Sequence, residues 1–160
     1  MASSDIRPAT PDDTPYITAT LTHEFGSTDI FSRGRMFEAL RLPTHLAVNG
    51  PTPLGLAITR FERDECELLC LVATEPRRGI GTLLLDQSRR LATEHGCRRL
   101  FLTTTNDNLD ALRFYQRRGM TLASLHAGAM NLARALKPSI PAIGHHGIPI
   151  RDDLELEYIL

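Results

Sequence analysis

One segment constrains the fold more than any other. A β-like run, residues 66–73 (CELLCLVA), passes through a short turn into Arg77-Arg78-Gly79-Ile80-Gly81-Thr82 and on into a helical repeat. Ile80, Leu83, Leu84, Leu91 and Ala92 recur at helical spacing up to Gly96, which predicts a helix closed by a glycine cap. Glycines at a strand-to-helix turn let the backbone approach a ligand closely. The unpaired N–H groups of the first helical turn favour anions, and the two adjacent arginines suit phosphate. The segment therefore predicts a pyrophosphate site. It is not a Walker loop, because no Gly-Lys-Ser/Thr follows. It also lacks the third glycine of a dinucleotide fingerprint and follows an antiparallel run rather than opening a βαβ unit.

The rest of the chain supplies a mixed sheet around this unit. Residues 5–9 read as a short strand, and Pro11-Asp12-Asp13 starts a helix over 12–24. A second helix is expected over 29–41, stopped by Pro43, with a loop at 25–28 between the two. Residues 45–48, 54–62 and 66–73 form an antiparallel meander whose turns lie at Asn49-Gly50 and Arg63-Asp64-Glu65. Further strands are expected at 98–105, 120–126 and 153–159, with a helix from Asn108 to Arg118 closed by Gly119. Before the last strand, a helix over 129–137 and a Pro/Gly-rich stretch from Pro138 to Pro149 make an insertion too long for a hairpin; such loops are often functional. With no repeat or linker-like tract, one domain is expected over 1–160.

A second motif narrows the chemistry. In Asn108-Leu109-Asp110-Ala111-Leu112-Arg113-Phe114-Tyr115-Gln116-Arg117-Arg118-Gly119, the residues Ala111, Leu112 and Tyr115 share one helical face. Asn108 can cap the helix or bond a ligand, and Tyr115 carries a phenol able to give up a proton or to pack as a core aromatic. A glycine-loop helix, a strand and this Asn-x-x-Ala-x-x-Phe-Tyr-x-x-x-Gly helix, in this order and spacing, resemble the GNAT superfamily of N-acetyltransferases. The resemblance covers roughly residues 45–127.

The resemblance implies an α/β fold with a mostly antiparallel central sheet flanked by helices, and acetyl-CoA as cosubstrate. It implies that the strand around Leu71 and Val72 pairs with the pantetheine arm and polarises the thioester carbonyl. Arg77, Arg78, Gly79, Ile80, Gly81 and Thr82 would hold the pyrophosphate, Asn108 would contact the pantetheine side, and Tyr115 would protonate the departing thiolate. The acetyl group would pass directly to an amine in a ternary complex. One position departs from the family's usual Gln/Arg-x-x-Gly-x-Gly/Ala: Pro76 stands three residues before Gly79, so the basic residue is displaced to Arg77.

Candidates for the base remain open. Glu67, expected to share a strand face with Leu69 and Leu71, is one; Glu24 at a helix end is another; His126, His145 and His146 are further candidates. Arg33 and Arg35, with cations of the late insertion, would favour an acceptor bearing a carboxylate or phosphate, either a small molecule or a peptide amine. No metal site is expected, since the His145-His146 pair has no evident third ligand. A non-catalytic acyl-CoA-binding module is the alternative reading.

Composition excludes other classes. The formal charge is −1, and the halves carry 8 basic against 11 acidic and 10 basic against 8 acidic residues, without the excess expected of a nucleic-acid or membrane-surface binder. No apolar run approaches a membrane span, and the N-terminus has no signal-like pattern. Cys66, Cys70 and Cys97 form no CxxC pair and fit reduced, buried thiols, so a cytoplasmic location is expected. Edge pairing of the late strands would make a homodimer.

Overall fold

The computed structural model describes residues 4–75 and 79–160; Pro76, Arg77 and Arg78 lie outside the described residues. Nine strands and four helices are assigned among them. In chain order they are β1 (Asp5–Pro8), α1 (Thr14–Phe25), β2 (Asp29–Ser32), β3 (Arg35–Glu38), β4 (Thr44–Asn49), β5 (Thr52–Glu62), β6 (Glu65–Ala73) and α2 (Ile80–Glu94). There follow β7 (Arg99–Thr105), α3 (Leu109–Arg117), β8 (Thr121–His126), α4 (Ala129–Leu136) and β9 (Asp153–Ile159).

Seven strands form one sheet in the order β1-β4-β5-β6-β7-β9-β8, and every pairing is antiparallel except β6 with β7. Alternation along the strands divides the core in two. Ala47, Ala57, Cys66, Leu100, Leu102 and Leu156 pack with Leu84 and Leu85 of α2 and Tyr115 of α3. On the opposite face Leu46, Leu56, Ile58, Cys70 and Val72 pack with Ile17 and Leu21 of α1. The three cysteines are free and buried, as their apolar setting requires.

The helix expected over 29–41 is not there. Residues 29–38 form a two-stranded hairpin, and only Ala39–Arg41 make a single 3-10 turn. The hairpin turn is Arg33-Gly34, with φ of 49° and 81°. Positive φ at both central residues is the two-residue turn whose twist suits paired strands, and glycine supplies the second position without strain. Ile30 and Ser32 point inward and are buried, a period of two that the apolar Met36, Phe37, Ala39 and Leu40 mask when read at helical spacing.

A bulge in β6 corrects a second expectation. Ile58 faces Cys70 and Thr59 faces Leu68, which leaves Leu69 as an extra residue. Beyond it every side chain changes face, so Leu71 joins the α2/α3 core, whereas Glu67 lies on the α1 face. Glu67 and Leu71 are therefore on opposite sides of the sheet.

Candidate active site

The geometry starts from an interrupted pairing. β6 and β7 run parallel, with register partners only from Glu65↔Arg99 to Glu67↔Phe101, although β6 continues to Ala73 and β7 to Thr105. The strands separate where the bulge bends β6, and residues 70–73 have strand partners on the β5 side alone. Main-chain donors and acceptors on the other edge are free to meet a ligand.

α2 begins at the same end of the sheet. Its N-cap is Gly79, held at φ 72°, where an added Cβ would meet nothing within 4 Å. The glycine is needed there for its conformation rather than for space. Gly81 is the converse case: a Cβ would lie 3.0 Å from Cζ of Phe114, so this glycine lets α2 seat against α3. Thr82 Oγ1 accepts a 2.7 Å hydrogen bond from Arg118 Nε, and the Arg118 guanidinium lies 3.7 Å from the centroid of the Phe114 ring. A described cation thus stands beside the first turn of α2. Arg77 and Arg78, expected to grip phosphate, lie outside the described residues.

Asn108 caps α3, accepting 3.2 Å from the backbone N–H of Ala111, and also lines a neighbouring cavity. Tyr115 is buried in the α2/α3 core with its ring edge-on to Phe114, 5.1 Å between centroids. Burial, reinforced by Cys70, pushes the phenol well above its ordinary value, so it keeps its proton at neutral pH.

The cavity, about 600 Å³, opens beside the separated strands. Its walls come from the end of α1, β2, the Leu69 bulge, the end of β7, and the insertion after β8. The insertion is anchored by backbone and side-chain bonds: Gly144 N–H to Ile148 O at 2.9 Å, Asn106 Nδ2 to Pro149 O at 3.0 Å, and Gly128 N–H to Asp152 Oδ1 at 2.8 Å. Sequence reasoning missed two carboxylates here. Asp107 carries no signal in the sequence beyond its place beside Asn108, and Asp153 stands only as the first residue of a strand. The signal that would have found the second is the run Asp153, Glu155, Glu157, three acids at a period of two along a strand inside a sheet. Asp153 is 6% exposed and lines the cavity. Burial pushes its carboxyl from 3.8 up to about 6; His126 pulls the other way and Glu67 adds to the rise.

Of the two expected carboxylates, Glu24 lines the cavity and Glu67 does not. Glu67 is 2% exposed and fully engaged: Ser32 Oγ donates to Oε1, and Arg60 donates to Oε2 from Nε (3.2 Å) and Nη2 (2.9 Å). It ties β2 to the sheet. The two arginines expected near the acceptor are elsewhere, whereas Lys137 of the late insertion lines the cavity. Arg33 Nε lies 3.6 Å from Glu155 with its guanidinium over Phe101, and Arg35 pairs with Glu62 at 3.6 Å on the surface. Neither lines the cavity. His145 lines it, His146 is exposed, and His126 Nε2 stands 3.7 Å from Glu155. Among the described residues no group of three or more His, Cys, Asp or Glu side chains is arranged to hold a metal, and no helix is long and apolar enough to cross a membrane.

Comparison with known proteins agrees with this arrangement. The model of the acetyltransferase (GNAT) family matches residues 14–120. YdhI of Bacillus subtilis, an uncharacterised protein, is 34% identical over 139 residues, covering 86% of this chain and 87% of its own. YxbD of the same organism, also uncharacterised, is 43% identical over 103 residues, covering 64% of this chain and 65% of its own length. Among solved structures, a Bacillus subtilis acetyltransferase in complex with CoA superposes with a TM-score of 0.73 at 17% identity, covering 99% of both chains. An Elizabethkingia anophelis enzyme with acetyl-CoA bound gives 0.71 at 18% identity, covering all of both chains. At that identity the likeness is one of fold.

Proposed function

This chain belongs to the acetyltransferase (GNAT) family, and from that premise we propose that it transfers the acetyl group of acetyl-CoA to an amine held in the cavity beside β7. The observation that carries the reading is the separation of β6 from β7 next to the N-terminus of α2. It leaves an unpaired strand edge for an amide-bearing arm and a helix start for a pyrophosphate. Two of the solved relatives in fold hold CoA or acetyl-CoA. The chain's own residues suit that ligand: Gly79 supplies the left-handed turn that starts α2, and Arg118 adds a cation beside Thr82.

The residues divide the proton work. Asp153 is the proposed base, replacing Glu67: it faces the cavity, and with a carboxyl at about 6 it is ionised at pH 7 yet basic enough to take a proton. Glu24 serves the cavity's field from its rim. As the amine nitrogen bonds to the acetyl carbon and the carbon–sulfur bond breaks, Asp153 accepts the amine proton. Tyr115, whose burial keeps it protonated, delivers one to the leaving sulfur. The backbone around Leu71 and Val72 would polarise the carbonyl.

The test is thiol release from acetyl-CoA across a broad panel of amines, peptide N-termini included, with coenzyme affinity measured by calorimetry. Acetylated amine and free thiol in equal amounts are expected. Tight coenzyme binding without acetylation of any amine would reject catalysis in favour of a binding module.

A further inference from the structure

The polarity of the cavity points to the class of acceptor, and this inference rests on the acetyltransfer reading above. The apolar part of the wall includes Phe25, Ile30, Phe31, Leu69, Met130 and Ile150, and the acidic part is Glu24, Asp107 and Asp153 among the described residues. Among the described lining residues the only lysine or arginine is Lys137, whose Nζ donates 2.8 Å to the carbonyl of Asp29.

Asp107 is the unusual member. It is 2% exposed; Oδ2 accepts the backbone N–H of His145 at 2.9 Å, and Oδ1 is buried without any hydrogen-bond partner. Capping does not account for it, because Asn108 performs that task for α3. Nor is its position accidental. A Cβ on Gly144 would fall 2.0 Å from Asp107 Oδ2 and 2.7 Å from Ile150 Cγ1, so the insertion leaves out a side chain there in order to close over the carboxylate. A buried carboxylate with an unpaired oxygen is costly unless a donor arrives to meet it. In a low-dielectric cavity the donor that repays most is cationic.

We infer that the acceptor is a small diamine, with one nitrogen attacking beside Asp153 and the second, protonated nitrogen bound by Asp107. Asp153 has to take a proton from the nucleophile and so cannot also serve as a permanent anchor. Asp107 is the spare carboxylate, and a second ammonium is the group that fits it. The apolar wall suits the alkyl chain between the two nitrogens, and Glu24 adds attraction without a fixed partner inside the cavity. The same charges repel an acceptor with a carboxylate or phosphate, the opposite of what Arg33 and Arg35 predict from sequence.

Three probes of equal length and differing distal group decide the matter: putrescine, n-butylamine and γ-aminobutyrate. Putrescine is expected to exceed n-butylamine in kcat/KM by about 100-fold, since a site with a buried polar group discriminates strongly against an analogue lacking its partner, and γ-aminobutyrate should be the poorest. Asp107→Asn keeps an acceptor for the His145 N–H. It is expected to raise KM for putrescine tenfold or more and erase the preference over n-butylamine, with acetyl-CoA affinity and melting temperature maintained. Thiol release with other amines but no preference for putrescine, or an Asp107→Asn variant that keeps the preference, overturns the diamine while leaving acetyltransfer intact. Failure of every amine in the broad panel overturns both.

Discussion

The two sides of the site are built by different means. The proposed coenzyme side is compact in sequence: β6, the Gly79–Thr82 turn, α2 and the Asn108–Gly119 helix follow one another, and local rules govern each. A glycine at φ 72° caps α2, an asparagine caps α3, and a glycine at 81 lets the helices meet. The acceptor side is assembled from residues 24–32, 103–108 and 130–153, remote along the chain and joined only by tertiary contacts. Its charge is opposite to that suggested by the nearest cations in sequence, because Arg33, Arg35 and Arg60 are paired to Glu155, Glu62 and Glu67 before they reach the cavity. Local sequence pattern therefore serves the proposed coenzyme side and misleads on the charge of the proposed acceptor side.

Substitutions can break this division of labour. The largest effect is expected for Asp153→Asn, which removes the proposed base: kcat should fall by about 100-fold or more, and the acidic limb of the pH–rate profile near pH 6 should disappear, while acetyl-CoA affinity stays the same. An unchanged acidic limb would return the role to another group.

Glu67→Ala is next and acts on the frame. It removes one of the two carboxylates that hold Arg60, whose side chain is 13% exposed and keeps Glu62, and it releases Ser32 of β2. Because Arg60 keeps Glu62, the loss should fall below the about 3–5 kcal/mol typical of a buried charge left without a partner, read as a lower denaturation midpoint. Glu67→Gln, which can still accept from Ser32, should keep the acidic limb, moved to lower pH because Glu67 no longer adds to the rise at Asp153; loss of the limb there would make Glu67 the base after all.

Tyr115→Phe keeps the ring against Phe114 and deletes the hydroxyl. Turnover should fall by about 100-fold with little change in coenzyme affinity, measured by steady-state kinetics alongside calorimetry. A fall in affinity alone would make Tyr115 a packing residue.

The smallest effect is on stability, and its sign follows from Asp153. A carboxyl raised from 3.8 to about 6 binds its proton more tightly in the folded state. The stabilising contribution of that proton is complete below pH 3.8 and lost as pH rises through about 6. Asparagine imitates the neutral form. Asp153→Asn should thus be more stable than wild type at pH 8, by roughly 2–3 kcal/mol at most. The difference should vanish near pH 4. Equal melting temperatures at both pH values would mean that the carboxyl is not perturbed. With the first prediction, this makes the acceptor side the place where stability has been given up for chemistry.

Much of the architecture was legible in the chain. Strands β1 and β4 to β9 and helices α1 to α4 follow from periodicity, turn dipeptides and glycine spacing, since each is decided within a dozen residues, and the family resemblance rests on the glycine-loop and Asn-to-Gly motifs together. Residues 29–41 were not, because Arg33 at φ 49° gives no residue-type signal for a tight turn and Met36, Phe37 and Leu40 imitate a helical stripe. Leu69 was not legible either: a bulge depends on the register with β5, which no single strand contains. Nor were Asp107 and Asp153, ordinary acids in a list of 19 until burial removes one's partner and raises the other's pKa.

The sequence by itself determined the coenzyme-side unit, because a glycine-capped helix after a strand and an Asn-to-Gly helix after the next are specified by neighbours along the chain. Tertiary structure alone decided where β6 leaves β7, which carboxylates face the cavity and which cations are neutralised. Those outcomes depend on register and desolvation, properties that arise only when distant segments meet.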